Sequence, residues 1–317
     1  MGITRQQALD CFASDDLIGI GMEADALRRT LHPEGVVTYT VDRLLDCADP
    51  DPNTFYDRVR ETVDMGATGI LLPSGAQPNV PLDRYESLLT GIKQRFPGIQ
   101  LHGLCATQIL ALASASQLSL RDTIARLHDA GLDSIAGSAV IFNDEIRKRA
   151  APDKCTTAEW INVHRTAHQL GLRTKATMIF GVGETMADRI DHLEILRALQ
   201  EETGGFTAFT PLAAQPGVAV IPSAVAEPTA VEYLTTLAVS RLYLDNIENL
   251  QGSWRTQGLK VLQMGLRFGG NDVGSVLLEE HASKPGGATE EELRRIIREA
   301  GFRPVQRDTL YRTMFLN

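Results

Sequence analysis

The sequence predicts a (β/α)8 barrel, with a doubly wound open parallel sheet as the alternative. Three observations carry this: evenly spaced glycines, a short apolar run after each, and eight such runs in all. Gly66, Gly98, Gly131, Gly171 and Gly204 lie roughly 32 to 40 residues apart, about the length of one strand, one helix and two turns. Each opens a run that is apolar and then polar: "MGATGILLPSG", "FPGIQLHGLC", "AGLDSIAGSAV", "LGLRTKATMIFGVGE" and "TGGFTAFTPL". Regular alternation of this kind implies parallel strands joined by helices. Adding "GVVTYTVDRLLD" before them, and "YLDNIENLQGSW" and "VLQMGLRFGGND" after, makes eight strands, the number that closes a barrel.

Helix starts punctuate the same pattern. Thr156 with Glu159, Thr229 with Glu232 and Thr289 with Glu292 have the capping-box spacing, in which hydroxyl and carboxylate satisfy each other's orphan amides. Val163, Ala167 and Leu170, then Val231, Leu234 and Ala238, recur at helical spacing and predict one apolar face on each helix. The 317 residues read as a single barrel domain, with residues 1–34 a helical preface and 289–317 a closing helix and tail. The Pro- and Ala-rich "AAQPGVAVIPSAVAEP" is expected to loop over the barrel mouth.

Composition narrows the function. Hydrophobic residues make up 43% of the chain and the formal net charge is -9, so a full core is affordable and a phosphate backbone finds no basic footprint. Nucleic acid and membrane are excluded as expected partners, and the N-terminus lacks a signal peptide, which predicts a cytoplasmic protein. Cys11, Cys47, Cys105 and Cys155 are far apart in sequence and fit no zinc or redox spacing, so no metal ligands are assigned. The expected partner is a small-molecule substrate, with a homo-oligomer or a heteromer with a related enzyme as the expected assembly.

In a barrel, chemistry sits at the polar ends of the strands. His102 and Cys105 close the third strand; the histidine can titrate near neutral pH and is a candidate acid or base, or a hydrogen-bonded wall residue. Cys105 reads as buried filler and faces away from His102 if the strand is regular. Glu184, before a helix capped by Thr185, either serves the helix N-terminus or faces a ligand. Ser253, Trp254, Gln257, Asn271 and Asp272, at two adjacent strand ends, combine a flat apolar ring with amides and a carboxylate, a mixture suited to a polar ring-bearing molecule. Asp46, Asp49 and Asp51 read as a solvated acidic turn rather than a cation site.

Segments throughout the chain resemble the cyclic dehypoxanthinyl futalosine synthases, a radical S-adenosylmethionine family related to aminofutalosine synthase: "HPEGVVTYTVDR", "LDSIAG", "TKATMIFGVGETMADR", "TGGFTAFTPLAAQPG", "NLQGSWRTQG", "LRFGGNDVGSVLLEE" and "AGFRPVQRDTLYR". The resemblance implies a (β/α)8 barrel with a [4Fe-4S] cluster on Cys-x-x-x-Cys-x-x-Cys after the first strand. Here "VTYTVDRLLDCADPDPNTFYDRV" holds Cys47 alone, and three soft thiolates are what such a cluster needs. Pro73 and Ser74 stand in the loop after strand two, and "AGSAVIF" lacks the glutamate of the family's fourth strand. These departures lead us to expect no [4Fe-4S] cluster and make S-adenosylmethionine binding doubtful. The resemblance also implies a substrate side formed by Thr177, Glu184, Gln215, Ser253, Trp254, Gln257, Asn271 and Asp272. The expected function is a non-radical lyase, cyclase or isomerase reaction on a small polar or cyclic metabolite, with His102, Glu184 and Asp272 as acids and bases. The alternatives are an enzyme that binds S-adenosylmethionine without radical chemistry and a non-catalytic barrel that binds a metabolite or stabilises a partner.

Overall fold

The computed structural model describes residues 2–47, 51–73, 80–215, 219, 221–222, 225–278 and 288–313. Ser74, Asp49 and parts of the expected mouth loop and tail lie outside the described residues. Two helices, α1 (Arg5–Ala13) and α2 (Leu17–Leu31), lead into β1 (Val36–Leu44), α3 (Pro52–Asp64), β2 (Gly69–Leu71), α4 (Leu82–Arg95) and β3 (Gln100–Cys105). Then come α5 (Ala106–Ala115), α6 (Leu120–Asp129), β4 (Ser134–Ala136), α7 (Asp144–Ala150), α8 (Thr157–Gln169), β5 (Arg173–Phe180), α9 (Met186–Thr203) and β6 (Phe206–Ala213). The chain continues through α10 (Ala230–Tyr243), β7 (Asn249–Leu250), α11 (Trp254–Gly265), β8 (Asp272–Leu277), α12 (Glu290–Glu299) and β9 (Arg303–Gln306).

The strands are parallel and ordered β7-β6-β5-β4-β3-β2-β1-β8, with β9 added to the lower half of β1. Between β7 and β8 a single bridge, Gln251 to Asp272, brings the ends together. The amide of Asn271 donates to the Leu250 carbonyl at 3.0 Å, and that of Gly252 to the Asp272 carbonyl at 2.9 Å. The result is a nearly closed eight-stranded barrel rather than an open sheet.

Period-two alternation along β1 separates core from lumen. Val37, Tyr39 and Val41 point outward and pack with Leu262, Leu266, Leu293 and Ile297. Thr38, Thr40 and Asp42 point the other way, into the barrel. The larger apolar cluster fills the space between the sheet and the surrounding helices, with Leu88, Ile109, Val163, Leu193 and Leu237 among its members.

Local expectations hold where backbone chemistry decides them. Thr156 and Thr289 form complete capping boxes with Glu159 and Glu292. At Thr229 the hydroxyl accepts from the Glu232 amide, but the Glu232 carboxylate turns to Arg189 at 2.5 Å instead of closing the box. Val231 is exposed, so the buried face of α10 runs through Tyr233, Leu234, Leu237 and Ala238 instead. A larger correction concerns the eighth strand. Residues 261–265 of "VLQMGLRFGGND" belong to α11, and β8 begins where that segment ends, at Asp272. Asn271 and Asp272 therefore lie at the start of β8, at the barrel floor, rather than at the mouth.

The floor is sealed by an ion pair. Arg307, just past β9, reaches Asp272 through Nε at 2.5 Å and Nη2 at 2.8 Å, and both side chains are wholly buried. Thr38 Oγ1 and the Gly274 amide donate to the same carboxylate at 2.5 and 2.9 Å, and the Tyr311 ring lies 3.7 Å from the guanidinium. Burial by itself would raise the Asp272 pKa, but the Arg307 charge and these hydrogen bonds hold it below the ordinary value. The Arg307→Met variant leaves Asp272 as an unpaired buried charge and should lose about 3–5 kcal/mol of stability. Urea unfolding measures this, and a loss under about 1 kcal/mol would contradict the structural role assigned to the pair.

Candidate active site in the barrel lumen

Above the floor, the inner faces of β1, β3, β5 and β8 are polar. Asp42 accepts from Thr40 Oγ1 at 2.7 Å and also from the Ser275 hydroxyl, and Thr40 and Ser275 are themselves 2.8 Å apart. Asp42 Oδ2 takes these bonds, whereas Oδ1 is buried without a partner. Across the lumen, Lys175 and Thr177 share the inner face of β5, while Ala176 and Met178 between and beyond them are fully buried outside. Thr177 Oγ1 accepts the Ala139 amide at 2.8 Å.

His102, on β3, lies deep in the protein but borders the lumen. Burial comes first, then the charges of Lys175 and Arg307, in driving its pKa well below the ordinary value; a backbone hydrogen bond at Ser134 offsets them only in part. The ring is therefore neutral, and its Nδ1 has no hydrogen-bond partner. Lys175 is lowered to about 8, by burial first and Arg307 second, against the opposing pull of Asp272 and Asp42. Among the described residues, no hydrogen bond or ion pair holds its Nζ. Thus an amine of lowered pKa stands within electrostatic reach of a neutral imidazole and of the Asp42 carboxylate, each with an unused valence.

The sequence-selected residues divide between this lumen and other places. His102 and Thr177 line it, and Asp272 closes it from below. The side chain of Glu184 is buried in the turn between β5 and α9, where its oxygens accept from the amides of Gly181 at 2.7 Å and Val182 at 2.8 Å and from Arg189 Nε at 2.8 Å. Asn271 accepts from Arg241 Nη2 and the Leu250 amide, both at 2.8 Å, and donates to Asn249 Oδ1 at 2.9 Å, tying the seam between β7 and β8. Ser253 caps α11 and its amide donates to Tyr233 Oη at 2.7 Å. Trp254 is buried in the outer core, not laid open as a platform, with Arg255 over its ring. Gln215 and Gln257 meet at the mouth in a cleft of about 190 Å³ that Thr256 and Glu227 also line. At the end of β3 a register shift, with Leu104 at φ 53°, breaks the regular alternation assumed for His102 and Cys105.

Sequence reasoning missed Asp42, Lys175 and Arg307. Thr38, Thr40 and Asp42 do carry a signal, because polar residues at every second place in an otherwise apolar strand mark a polar inner face. Lys175 in "RTKATMIF" is the same signal in a weaker form. Arg307 has none, since only the folded tail brings it to Asp272.

Comparison with known proteins agrees with this architecture. The radical SAM superfamily model matches residues 42–196, and the CofH/MqnC C-terminal region matches residues 203–316. The chain belongs to the radical S-adenosylmethionine superfamily, in the branch that includes the futalosine-forming synthases. It is 35% identical to the cyclic dehypoxanthine futalosine synthase of Streptomyces coelicolor, over 98% of this chain and 85% of that protein. Identity to the aminodeoxyfutalosine synthase of Thermus thermophilus is 37%, over 92% and 78% of the two chains. A 5-amino-6-(D-ribitylamino)uracil–L-tyrosine 4-hydroxyphenyl transferase of Methanopyrus kandleri is 41% identical over 84% and 76%. These relatives are enzymes, which places this chain among enzymes. Among solved structures, the FeFe-hydrogenase maturase HydG of Carboxydothermus hydrogenoformans has the same fold, with TM-score 0.74 at 14% identity over 98% of this chain and 78% of that one. Methylornithine synthase (PylB) does too, with TM-score 0.72 at 14% identity over 96% and 94%. Among the described residues no helix is long and apolar enough to cross a membrane.

The family match corrects the cofactor expectation. The loop after β1 led us to expect no [4Fe-4S] cluster and doubtful S-adenosylmethionine, but membership of this superfamily, over a segment that includes that loop, points to both as the cofactors. A short ligand motif is one local signal, and the relationship over nearly the whole chain outweighs it. The described side chains nonetheless do not fit a cluster by themselves. Cys47 is buried in the apolar core, where burial pushes its thiol up to about 12, and no three His, Cys, Asp or Glu side chains among the described residues gather to hold a metal. The steps assigned to this chain are therefore those of its own residues.

Lys175 makes the site's electrostatics measurable. Its folded pKa of about 8 lies below the ordinary 10.5, so between these values the unfolded chain binds more protons and stability rises with pH. Lys175→Met should be more stable than the parent at pH 7.5, with the difference shrinking as pH climbs from about 8 to about 10.5. Urea midpoints across that window are the readout, and a difference that does not change with pH would show that the amine is not desolvated.

Proposed function

We propose that this chain is an enzyme that binds a small, polar, ring-bearing metabolite in the barrel lumen and performs a lyase, cyclase or isomerase step on it. The observation that carries this reading is the set of unused valences on the inner wall: His102 Nδ1 and Asp42 Oδ1 buried without partners, and the unpaired amine of Lys175. Buried polar groups left unsatisfied are costly, and a ligand that satisfies them recovers that cost as affinity and orientation. His102, neutral at physiological pH, offers Nδ1 as a hydrogen-bond acceptor. The hydroxyls of Ser275 and Thr40 extend the carboxylate of Asp42 toward a polar ring. Lys175 and Arg307 balance Asp42 and Asp272, so the chamber suits a ligand without large net charge. At the mouth, Gln215 and Gln257 supply amides for the part of the ligand that projects from the lumen.

The relatives' names suggest three compounds to test by titration calorimetry: aminodeoxyfutalosine, cyclic dehypoxanthine futalosine and 5-amino-6-(D-ribitylamino)uracil. At least one should bind, and a His102→Gln, Asp42→Asn double variant that still melts cooperatively should bind it at least about tenfold more weakly, about 1.4 kcal/mol. Binding by none of the three, or equal binding by the variant, would remove the lumen as the substrate chamber.

A further inference from the structure

Lys175 has a property that noncovalent binding does not use. It projects from β5, whose ladder with β6 runs from Thr174 to Phe180 with a register shift between Thr174 and Lys175, and its Nζ is unpaired among the described residues. Lys93, by contrast, donates to Asp133 at 2.6 Å and to the Ile99 carbonyl at 2.8 Å, and Lys148 and Lys260 are exposed. We propose that Lys175 is a covalent catalytic residue that captures an aldehyde or ketone of the substrate as an imine. The proposal rests on the lumen being the ligand chamber and adds the reactive group that the ligand must carry.

Four features support it. An amine nucleophile needs a substantial neutral fraction, and desolvation beside another cation supplies it; here burial and Arg307 lower the pKa to about 8. A hydrogen-bond acceptor for the amine and the carbinolamine is at hand in His102, whose Nδ1 is bare. With the amine neutral, the carboxylates of Asp42 and Asp272 outnumber the one cation, Arg307, so a neutral carbonyl suits the site better than another anion. Finally, the Asp272–Arg307 pair fixes the charge beneath the amine, so its environment does not depend on mobile surface groups.

The step balances without an oxidant or reductant. The neutral amine attacks the carbonyl carbon, forming the C–N bond as the carbonyl π pair moves to oxygen. The proton released from nitrogen passes to the oxygen, and His102 Nδ1 orients the nitrogen by accepting its N–H hydrogen bond. The carbinolamine oxygen takes a second proton from solvent, its C–O bond breaks, and water leaves as the nitrogen lone pair forms the C=N bond of an iminium that carries that proton's charge. Attack of water on the iminium reverses the sequence and frees the lysine.

Reductive trapping tests this on the full-length wild-type protein. Glycolaldehyde, pyruvate and benzaldehyde are each incubated with it and sodium cyanoborohydride at about pH 8, and labelled peptides are quantified by mass spectrometry. With at least one probe, Lys175 should be modified about tenfold or more faster than the exposed Lys148 and Lys260, despite its burial. His102→Gln should slow labelling of Lys175 about fivefold or more while leaving labelling of Lys148 unchanged. Labelling of Lys175 no faster than of Lys148 and Lys260 with all three probes overturns the proposal, and the wild-type comparison decides this even if the variant misfolds. Calorimetric binding of a ring compound without trapping would remove the imine and leave the chamber. Trapping without such binding would keep the imine and remove the ring-bearing reading.

Discussion

The buried pair of Asp272 and Arg307 is the constraint on which the rest of the molecule depends. It joins the first residue of β8 to the tail beyond β9, and Thr38 on β1 joins the same carboxylate. Three separate parts of the chain thus meet on two oxygens. Removing a carboxylate and a guanidinium from water costs several kcal/mol for each ion, and only full pairing in good geometry recovers it. The bidentate contact and the Gly274 amide supply that geometry. Because the pair closes one end of the barrel, its charges act on Lys175 and His102 from beneath.

A second buried cation does comparable work at the opposite end. Arg189 on α9 reaches Glu184 in the turn before it, Glu232 on α10 at 2.5 Å and Thr236 at 3.0 Å, while its guanidinium lies 4.3 Å from the Phe180 ring. This binds the turn after β5 to the helix after β6. Glu184, attractive as an acid or base because of its place in sequence, has both oxygens committed to this clamp. The two ends of the barrel are therefore held by ionic ties of the same construction, and Asp42, His102 and Lys175 lie between them.

Much of the fold could be read from the sequence because its signals are backbone chemistry. Gly66, Gly131, Gly171 and Gly204 all have positive φ, the conformation that ends helices and that other residues resist. The eighth strand was misplaced because "VLQMGLRF" is an apolar run of a length that suits helix and strand alike, and periodicity does not separate the two. Within the site, His102 could be found because it closes a strand recognised as such, whereas Thr177 came only from the family resemblance. Lys175 was passed over since a lysine in a strand usually marks an exposed edge, and the inner wall of a barrel inverts that expectation. Arg307 and Asp272 are 35 residues apart in sequence, and nothing local announces their pairing. The cofactor expectation erred in the opposite way, by allowing one local absence to outweigh a relationship spread over the whole chain.

The seam between β7 and β8 has a mechanical consequence. Elsewhere the barrel wall is laddered strand to strand, but β7 has only two residues, and its junction with β8 depends on a single bridge reinforced by the side chain of Asn271. A cylinder with one lightly stitched side expands by parting there, as regions with few backbone bonds open at the lowest free energy. The circumference is thus held least firmly along this line, and a bulky ligand could be accommodated by the wall yielding sideways there.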